Sequence, residues 1–158
     1  MILIENNQQD VALDIGQLHR DAQKILDLLE YSDYDLGILL TTNEEMHAYN
    51  NQYRDQDKPT DILSFAYHDK LKAGDRITPQ SDEDKNLGDI IISPQYVLDD
   101  LPRWEQPFEQ RMRVLLVHGI CHLLGYDHIE DEDYAAMDTK EQLLLEQLVP
   151  TQSITKSK

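Results

Sequence analysis

Apolar residues recur along this chain with the spacings that distinguish helices from strands. One set is spaced three and four apart, as on the buried face of a helix that Asp14 would cap: Ile15, Leu18, Ala22, Ile25 and Leu29. Four shorter apolar segments, at 2–5, 34–41, 61–67 and 87–92, have the length and composition of strands. The two periods alternate, which predicts a domain built from both kinds of element.

Further helices are predicted by residues that favour helix N-termini. These are the capping box Thr42-Asn43-Glu44-Glu45, the pair Ser93-Pro94, Pro107, and Asp131 or Asp133. The last helix would end near position 149. The buried face of the helix after Thr42 would consist of Met46, Tyr49 and Tyr53.

A polar stretch at 68–86 separates the third and fourth predicted strands. Its glycine, proline and acidic run predict a mobile surface loop within one domain. The elements together predict an α+β fold, in which a small mixed sheet of about four strands is packed with about five helices. The helix after Pro107 would lie beside the sheet. We expect a single domain over residues 1–150 and a frayed tail at 151–158.

The strongest chemical signal is a group of three histidines near the end of the chain, His118, His122 and His128. Residues four apart on a helix lie on the same face, so the first two imidazoles can aim at one point. Gly125 favours the left-handed conformation that ends a helix, and the reversed chain can return His128 toward the other two. Three imidazoles with an open fourth position are the ligand set of a catalytic zinc site, so we expect one zinc per chain.

The spacing matches the metal-binding motif of the metzincin proteases, H-E-x-x-H-x-x-G-x-x-H, with one difference. Gly119 replaces the glutamate that serves those enzymes as general base. The replacement removes the base of a peptidase, and we expect it to open space beside the metal for a bulky anionic substrate. The pattern therefore favours a metal site and disfavours a protease.

Composition indicates a folded protein of the cytosol. The chain has 158 residues, of which 40% are hydrophobic, and a single cysteine. That residue, Cys121, cannot form an internal disulfide, and its helical position predicts packing in the core rather than metal binding. The start of the chain lacks a basic region and a long apolar segment. We therefore expect no secretory signal, no membrane segment and a cytoplasmic location.

The formal net charge of −17 bears on the choice of substrate. Non-specific binding of nucleic acids depends on neutralising phosphates, so an RNA substrate would need a local basic cleft or a partner that delivers it. Nine of the 14 basic residues lie within 54–113. The leading candidates to line such a cleft are Arg54, Lys58, Arg103, Arg111 and Arg113.

Arg54 stands where the helix after Thr42 gives way to a loop that leads into a predicted strand. An arginine at a helix C-terminus has an ordinary structural role, which is to satisfy the last carbonyl groups. A guanidinium also suits phosphate oxygens, and loops that enter a central strand often carry site residues. Both roles are open from the residues alone.

Three motifs occur in order along the chain. They are Y-R-x-x-D-K-P-T-D-I-L-S-F from Tyr53, L-G-D-I-I-I-S from Leu87, and H-G-x-x-H-L-x-G-Y-D-H from His118. Together they resemble the bacterial YbeY-type endoribonuclease family over roughly residues 30–149. The histidine block is the most specific of the three.

The resemblance implies one zinc bound by His118, His122 and His128, and a functional role for Arg54. It also implies a metal-dependent endoribonuclease of the cytoplasm, specific for single strands, that acts in 16S rRNA maturation and ribosome quality control. The implied partners are single-stranded rRNA precursor and the small ribosomal subunit with its assembly proteins. Neither DNA nor a membrane is expected as a partner.

These residues are consistent with metal-assisted cleavage of an RNA phosphodiester. A zinc ion would lower the pKa of bound water and polarise a phosphoryl oxygen, and Arg54 would stabilise the charge of the transition state. Zinc hydroxide, Asp127, Asp89 and the substrate 2′-hydroxyl remain alternative proton acceptors. Two other functions also remain open: a zinc hydrolase acting on a small phosphate ester or an amide, and a ribosome-assembly factor whose zinc is mainly structural.

Overall fold

The four predicted strands form one mixed sheet. The computed structural model describes residues 1–127 and 129–148. The strands are β1 (Ile2–Asn6), β2 (Asp35–Leu40), β3 (Ile62–Ala66) and β4 (Asn86–Ile92), in the order β1-β2-β4-β3. The first, second and fourth run parallel, while β3 is antiparallel to β4 and is an edge strand. The α+β class and the four strands predicted from the pattern are confirmed.

The described residues contain six helices, where about five were predicted. They are α1 (Ile15–Leu28), α2 (Asn43–Arg54), α3 (Pro94–Asp99), α4 (Leu101–Trp104), α5 (Phe108–Leu123) and α6 (Asp131–Leu148). The additional helix is α4, a single turn in which Pro102 occupies one of the first two positions. Proline has no N–H to continue a preceding helix, so it favours a new start at this point.

The predicted N-terminal caps are present on α1 and α2. The Asp14 carboxylate accepts a hydrogen bond from the Gln17 N–H at 3.0 Å, and the Thr42 hydroxyl accepts one from the Glu45 N–H at 3.2 Å. The Glu45 carboxylate accepts a hydrogen bond from the Thr41 hydroxyl at 2.7 Å. The N-terminal cap of α2 therefore also involves Thr41, which is not part of the capping-box motif.

Helices cover the two faces of the sheet unequally. α1 packs on β1, α5 packs on β3 and β4, and α6 packs on α5, so these three helices cover one face. On the opposite face α2 buries Met46 against Leu63 and Ile91, whereas Tyr53, which was predicted to be buried, is half exposed. No helix among the described residues is long and apolar enough to cross a membrane. The apolar residues of α5 are instead accounted for by its position in the core.

The polar segment between β3 and β4 lies on the surface, as predicted, but it is attached to the body of the protein. Arg76 donates to the Leu29 carbonyl at 2.8 Å and to the Glu30 carbonyl at 3.1 Å, and it stacks on the Tyr31 ring. Ile77 is buried, and its N–H donates to the Tyr31 hydroxyl at 3.1 Å. The segment therefore contributes to the core, because an apolar residue lies within its polar sequence.

Two glycines with positive φ provide a matched test of this packing. Gly88 has φ +119°, and an added Cβ would overlap the Phe65 carbonyl oxygen of the neighbouring strand. Gly74 has φ +89° with open space around it. We expect Gly88→Ala to lower the free energy of unfolding by about 3 kcal/mol or more, and Gly74→Ala to lower it by about 1 kcal/mol. Urea denaturation measures both; equal losses would contradict the close approach of β3 to β4.

Candidate functional site

His118 and His122 converge on the same face of α5. Their Nε2 atoms are 3.0 Å apart, and the two rings are nearly perpendicular with centroids 4.5 Å apart. Two imidazole nitrogens on a tetrahedral zinc, each at about 2.0–2.1 Å, lie about 3.3 Å from each other. The two nitrogens therefore face one point, as the spacing of four residues predicts.

The third predicted ligand, His128, lies outside the described residues. The turn that leads toward it has the predicted geometry: α5 ends at Leu123, and Gly125 has φ +92°. The Gly125 N–H donates to the His122 carbonyl and the Tyr126 N–H to the Cys121 carbonyl, which closes the helix end. Within residues 1–127 and 129–148 the structure shows no group of three or more His, Cys, Asp or Glu side chains that could hold a metal.

A carboxylate on another helix orients the first histidine. Glu141 of α6 places Oε2 2.8 Å from His118 Nδ1. A neutral imidazole that donates from Nδ1 carries its lone pair on Nε2, which is the atom directed toward His122. This contact was not predicted from the sequence. Its signal was available, because Glu141 interrupts the buried stripe formed by Met137, Leu144 and Leu148 on α6.

Gly119 allows close contact between α5 and the sheet, and the expected open space is absent. A Cβ at this position would lie 2.9 Å from Ile62 Cδ1, 3.0 Å from Ile90 Cδ1 and 3.3 Å from Ser64 Oγ. The glycine is buried against β3 and β4. The prediction of room for a bulky substrate was wrong, since the position 100° around the helix from His118 points into the core.

Arg54 is the last residue of α2, as predicted, and its guanidinium binds the edge strand. Nη2 donates to the Ser64 carbonyl at 2.7 Å and Nη1 to the Tyr53 carbonyl at 3.1 Å. The guanidinium carbon lies 4.6 Å from the centre of the Phe65 ring. Asp55 follows in the left-handed conformation, and the buried Asn50 side chain donates to the Lys58 carbonyl at 2.8 Å, which holds the loop after Arg54.

Ser64 of β3 contacts both Arg54 and the helix that carries the histidines. Its carbonyl binds Arg54, while its side chain faces α5 at the position of Gly119, directly after His118. Both parts therefore meet the same residue of β3. Because Arg54 binds main-chain carbonyls, its positive charge has no ion pair among the described residues.

The two candidate carboxylate bases differ in position. Asp89 and Ile90 are neighbours on β4, and Ile90 faces Gly119 on α5. Successive strand residues point to opposite faces, so Asp89 lies on the other face of the sheet, above Gly37. Asp127 remains near the turn, where its Oδ1 accepts a hydrogen bond from the Ile129 N–H at 3.2 Å. The topology therefore removes Asp89 as a proton acceptor at the histidines.

Cys121 packs in the core, as its helical position predicted. It is fully buried, and burial raises the pKa of its thiol to about 12. A metal ligand or nucleophile must be a thiolate. The cysteine therefore has a packing role.

Only some of the basic candidates lie beside the histidines. Arg103 and Arg111 line a cavity that also contains His118. Arg113 instead pairs with Asp21 of α1 at 3.2 Å, and Lys58 is exposed in the loop after α2. The cavity is also lined by four carboxylates, so it is not a uniformly basic cleft.

Comparison with known proteins places this chain in a family. The family model described as Endoribonuclease YbeY matches residues 3–149. The chain belongs to this family. Human Endoribonuclease YbeY is 33% identical over 147 residues, which cover 93% of this chain and 87% of the human protein. The Fusobacterium nucleatum Endoribonuclease YbeY is 39% identical over 142 residues, with 86% and 82% covered.

A solved structure has the same fold as this YbeY-family chain. The solution structure of TM1509 from Thermotoga maritima superposes with a TM-score of 0.62 at 25% identity. The superposition covers 94% of this chain and 89% of that protein. The resemblance noted from the three motifs is thus confirmed as membership of the YbeY family over nearly the whole chain.

The contact at Gly119 can be tested by restoring the metzincin glutamate. We expect Gly119→Glu to lower the free energy of unfolding by about 3 kcal/mol or more, since a carboxylate would be forced against Ile62 and Ile90. Gln147→Glu, which adds the same charge on the exposed face of α6, should change stability by less than about 0.5 kcal/mol. Thermal and urea denaturation would report the difference. A stable Gly119→Glu protein would refute the close helix–sheet contact.

Proposed function

We propose that this chain is a metal-dependent endoribonuclease that cleaves single-stranded RNA, with His118, His122 and His128 as the ligands of one zinc ion. The observation that carries the proposal is the 3.0 Å approach of His118 Nε2 to His122 Nε2, with His118 oriented by Glu141. The names of the relatives, Endoribonuclease YbeY, supply the reaction class. The biological substrate we propose is 16S rRNA precursor in the cytoplasm, handled together with the small ribosomal subunit.

The two imidazoles and the Glu141 carboxylate are arranged in a way that suits metal binding. Glu141 accepts a hydrogen bond from His118 Nδ1–H and raises the basicity of the opposite nitrogen. His122 lies one turn further along α5 and directs its Nε2 to the same place. When bound there, zinc would supply Lewis acidity toward a phosphoryl oxygen and acidify water.

Arg54 is the residue we assign to the phosphoryl group. Its bonds to Ser64 and Tyr53 use two of the five N–H donors that a guanidinium carries. They hold the group in a fixed orientation at the edge of β3. A preoriented cation stabilises the negative charge that grows on a phosphoryl group in the transition state without reorganisation.

One observation favours the second candidate, an assembly factor that binds the immature ribosomal subunit and whose zinc is mainly structural. The net charge of −17 opposes unaided capture of RNA. A partner that presents the RNA would replace electrostatic attraction. This candidate predicts no cleavage of free RNA by the zinc-loaded protein.

Arg54→Ala tests the proposed catalytic role. The zinc-loaded wild type should cut a single-stranded RNA and leave the duplex of the same sequence intact. We expect Arg54→Ala to bind zinc normally and to cleave about 100-fold more slowly, because a transition-state cation is lost. Arg20→Ala, an exposed residue on α1, is the control for charge. His122→Ala should lose both zinc and cleavage. Unchanged cleavage by Arg54→Ala would exclude the phosphoryl role.

Glu141→Gln tests the orientation of His118. The variant keeps an oxygen acceptor for the Nδ1 proton but removes the charge, so we expect zinc affinity to fall about tenfold. Glu146→Gln, on the exposed side of the same helix, should leave the affinity within about twofold of wild type. Competition with a chromophoric chelator gives the affinities, and circular dichroism verifies the fold. Equal affinities for all three proteins would mean that Glu141 does not act on the metal site.

A further inference from the structure

A cavity of about 500 Å³ opens beside His118, between the loop before β3 and helices α3 to α6. It combines positive charge with aromatic surface: Arg103 and Trp104 come from α4, Arg111 from α5 and Tyr134 from α6. None of these side chains was needed for the proposed roles of the histidines or of Arg54. The cavity thus adjoins the candidate site, but the proposed reaction does not require its arginines and aromatic residues.

Arg111 carries a buried positive charge whose paired carboxylate lies outside hydrogen-bonding distance. The residue is 8% exposed, and its Nη2 is 3.8 Å from Asp61 Oδ2, beyond hydrogen-bonding distance. Burial lowers the pKa of the Arg111 guanidinium, with a smaller contribution from Arg103, while Asp61, Asp100 and Glu141 oppose that shift. A buried cation is costly unless an anion with good geometry accompanies it. An anionic group entering the cavity would reduce this cost.

Trp104 provides a fixed aromatic surface at the same place. Its Nε1–H donates to Asp100 Oδ2 at 3.0 Å. The Arg111 guanidinium carbon lies 3.6 Å from the ring centre, and that of Arg103 lies 5.0 Å from it. Trp104 nevertheless remains 37% exposed. A tethered indole with accessible surface is suited to stacking with a planar group.

We propose that this cavity is a subsite for a nucleotide of single-stranded RNA that flanks the scissile phosphate. Arg103 and Arg111 bind the phosphate of that nucleotide, and its base stacks on the exposed part of Trp104. The inference rests on the proposed function, since it assigns the cavity to the same RNA substrate. It goes further by naming the residues that hold RNA outside the reacting group.

The carboxylates of the cavity are compatible with this ligand. Asp61 faces Arg111, Asp100 accepts from Trp104, and Glu141 binds His118, so three of them already have a partner. Asp138 is the fourth. A neutral base is not repelled by these groups, whereas a run of phosphates would be. Binding should therefore depend on stacking more than on charge, with a shallow dependence on salt.

The chain contains one tryptophan, so the fluorescence of Trp104 reports directly on this cavity. The probe is tetraadenylate RNA, added to the full-length wild type in chelator so that it is not cut. We expect saturable quenching. Tripolyphosphate, which has charge but no base, should quench little and compete weakly. Absence of quenching by tetraadenylate, or equal competition by tripolyphosphate, would overturn the subsite.

Variants assign the binding to named side chains. Arg103→Gln should weaken tetraadenylate binding by on the order of tenfold, while Arg20→Gln, the matched charge change on α1, should change it less than about twofold. RNA binding by Trp104→Ala, measured by the anisotropy of a fluorescein-labelled RNA, should also weaken about tenfold. Trp104→Phe should retain most of the affinity. If Arg103→Gln behaves like Arg20→Gln, the proposed phosphate contact is wrong.

The two proposals fail in different ways. Cleavage of RNA by zinc-loaded wild type without any fluorescence response would leave the nuclease and refute the subsite. Quenching by tetraadenylate without cleavage would refute the nuclease and keep an RNA-binding cavity. In an active enzyme, Trp104→Ala should raise KM by about tenfold with a smaller effect on kcat, since the base is bound similarly in the ground and transition states.

Discussion

The close contact between α5 and the sheet at Gly119 is the constraint on which the candidate site depends. With only hydrogen at this position, the helix lies directly on Ile62, Ile90 and Ser64. The residue before it, His118, is then carried to the side of the contact, where α6 can reach it. A side chain at 119 would lift the helix from β3 and change the relation of the histidines to the edge of the sheet.

Two elements from opposite faces of the sheet contact the same residue of its edge strand, Ser64. The helix on one face brings the imidazoles, and α2 on the other face ends at Arg54, which binds the outer carbonyl of Ser64. The edge strand β3 is thus the shared support. Arg54 is bound there by main-chain carbonyls and the Phe65 ring, and no described carboxylate forms an ion pair with it.

The acidic composition is locally organised, which changes its meaning for function. Beside the histidines, Glu141 and Asp100 accept hydrogen bonds from His118 and Trp104, Asp61 forms an ion pair with Arg111, and Asp21 binds Arg113 of α5. These contacts convert acidic residues into positioning groups. The cavity beside His118 shows this organisation, since four carboxylates line it together with two arginines that lie against an indole ring.

The sequence by itself determined the elements and the chemistry of the site, because both depend on short-range spacing. Apolar periods located all four strands, Gly125 marked the end of α5, and positions 118 and 122 had to share a helix face. The tertiary structure alone decided what lies opposite those residues. Glu141 of α6 binds His118, and Asp89 lies on the face of the sheet opposite the histidines. Gly119 packs against β3 and β4, where open space had been predicted. Such pairings join residues far apart in the chain, so they follow from the order of strands and the packing of helices, which local patterns do not encode.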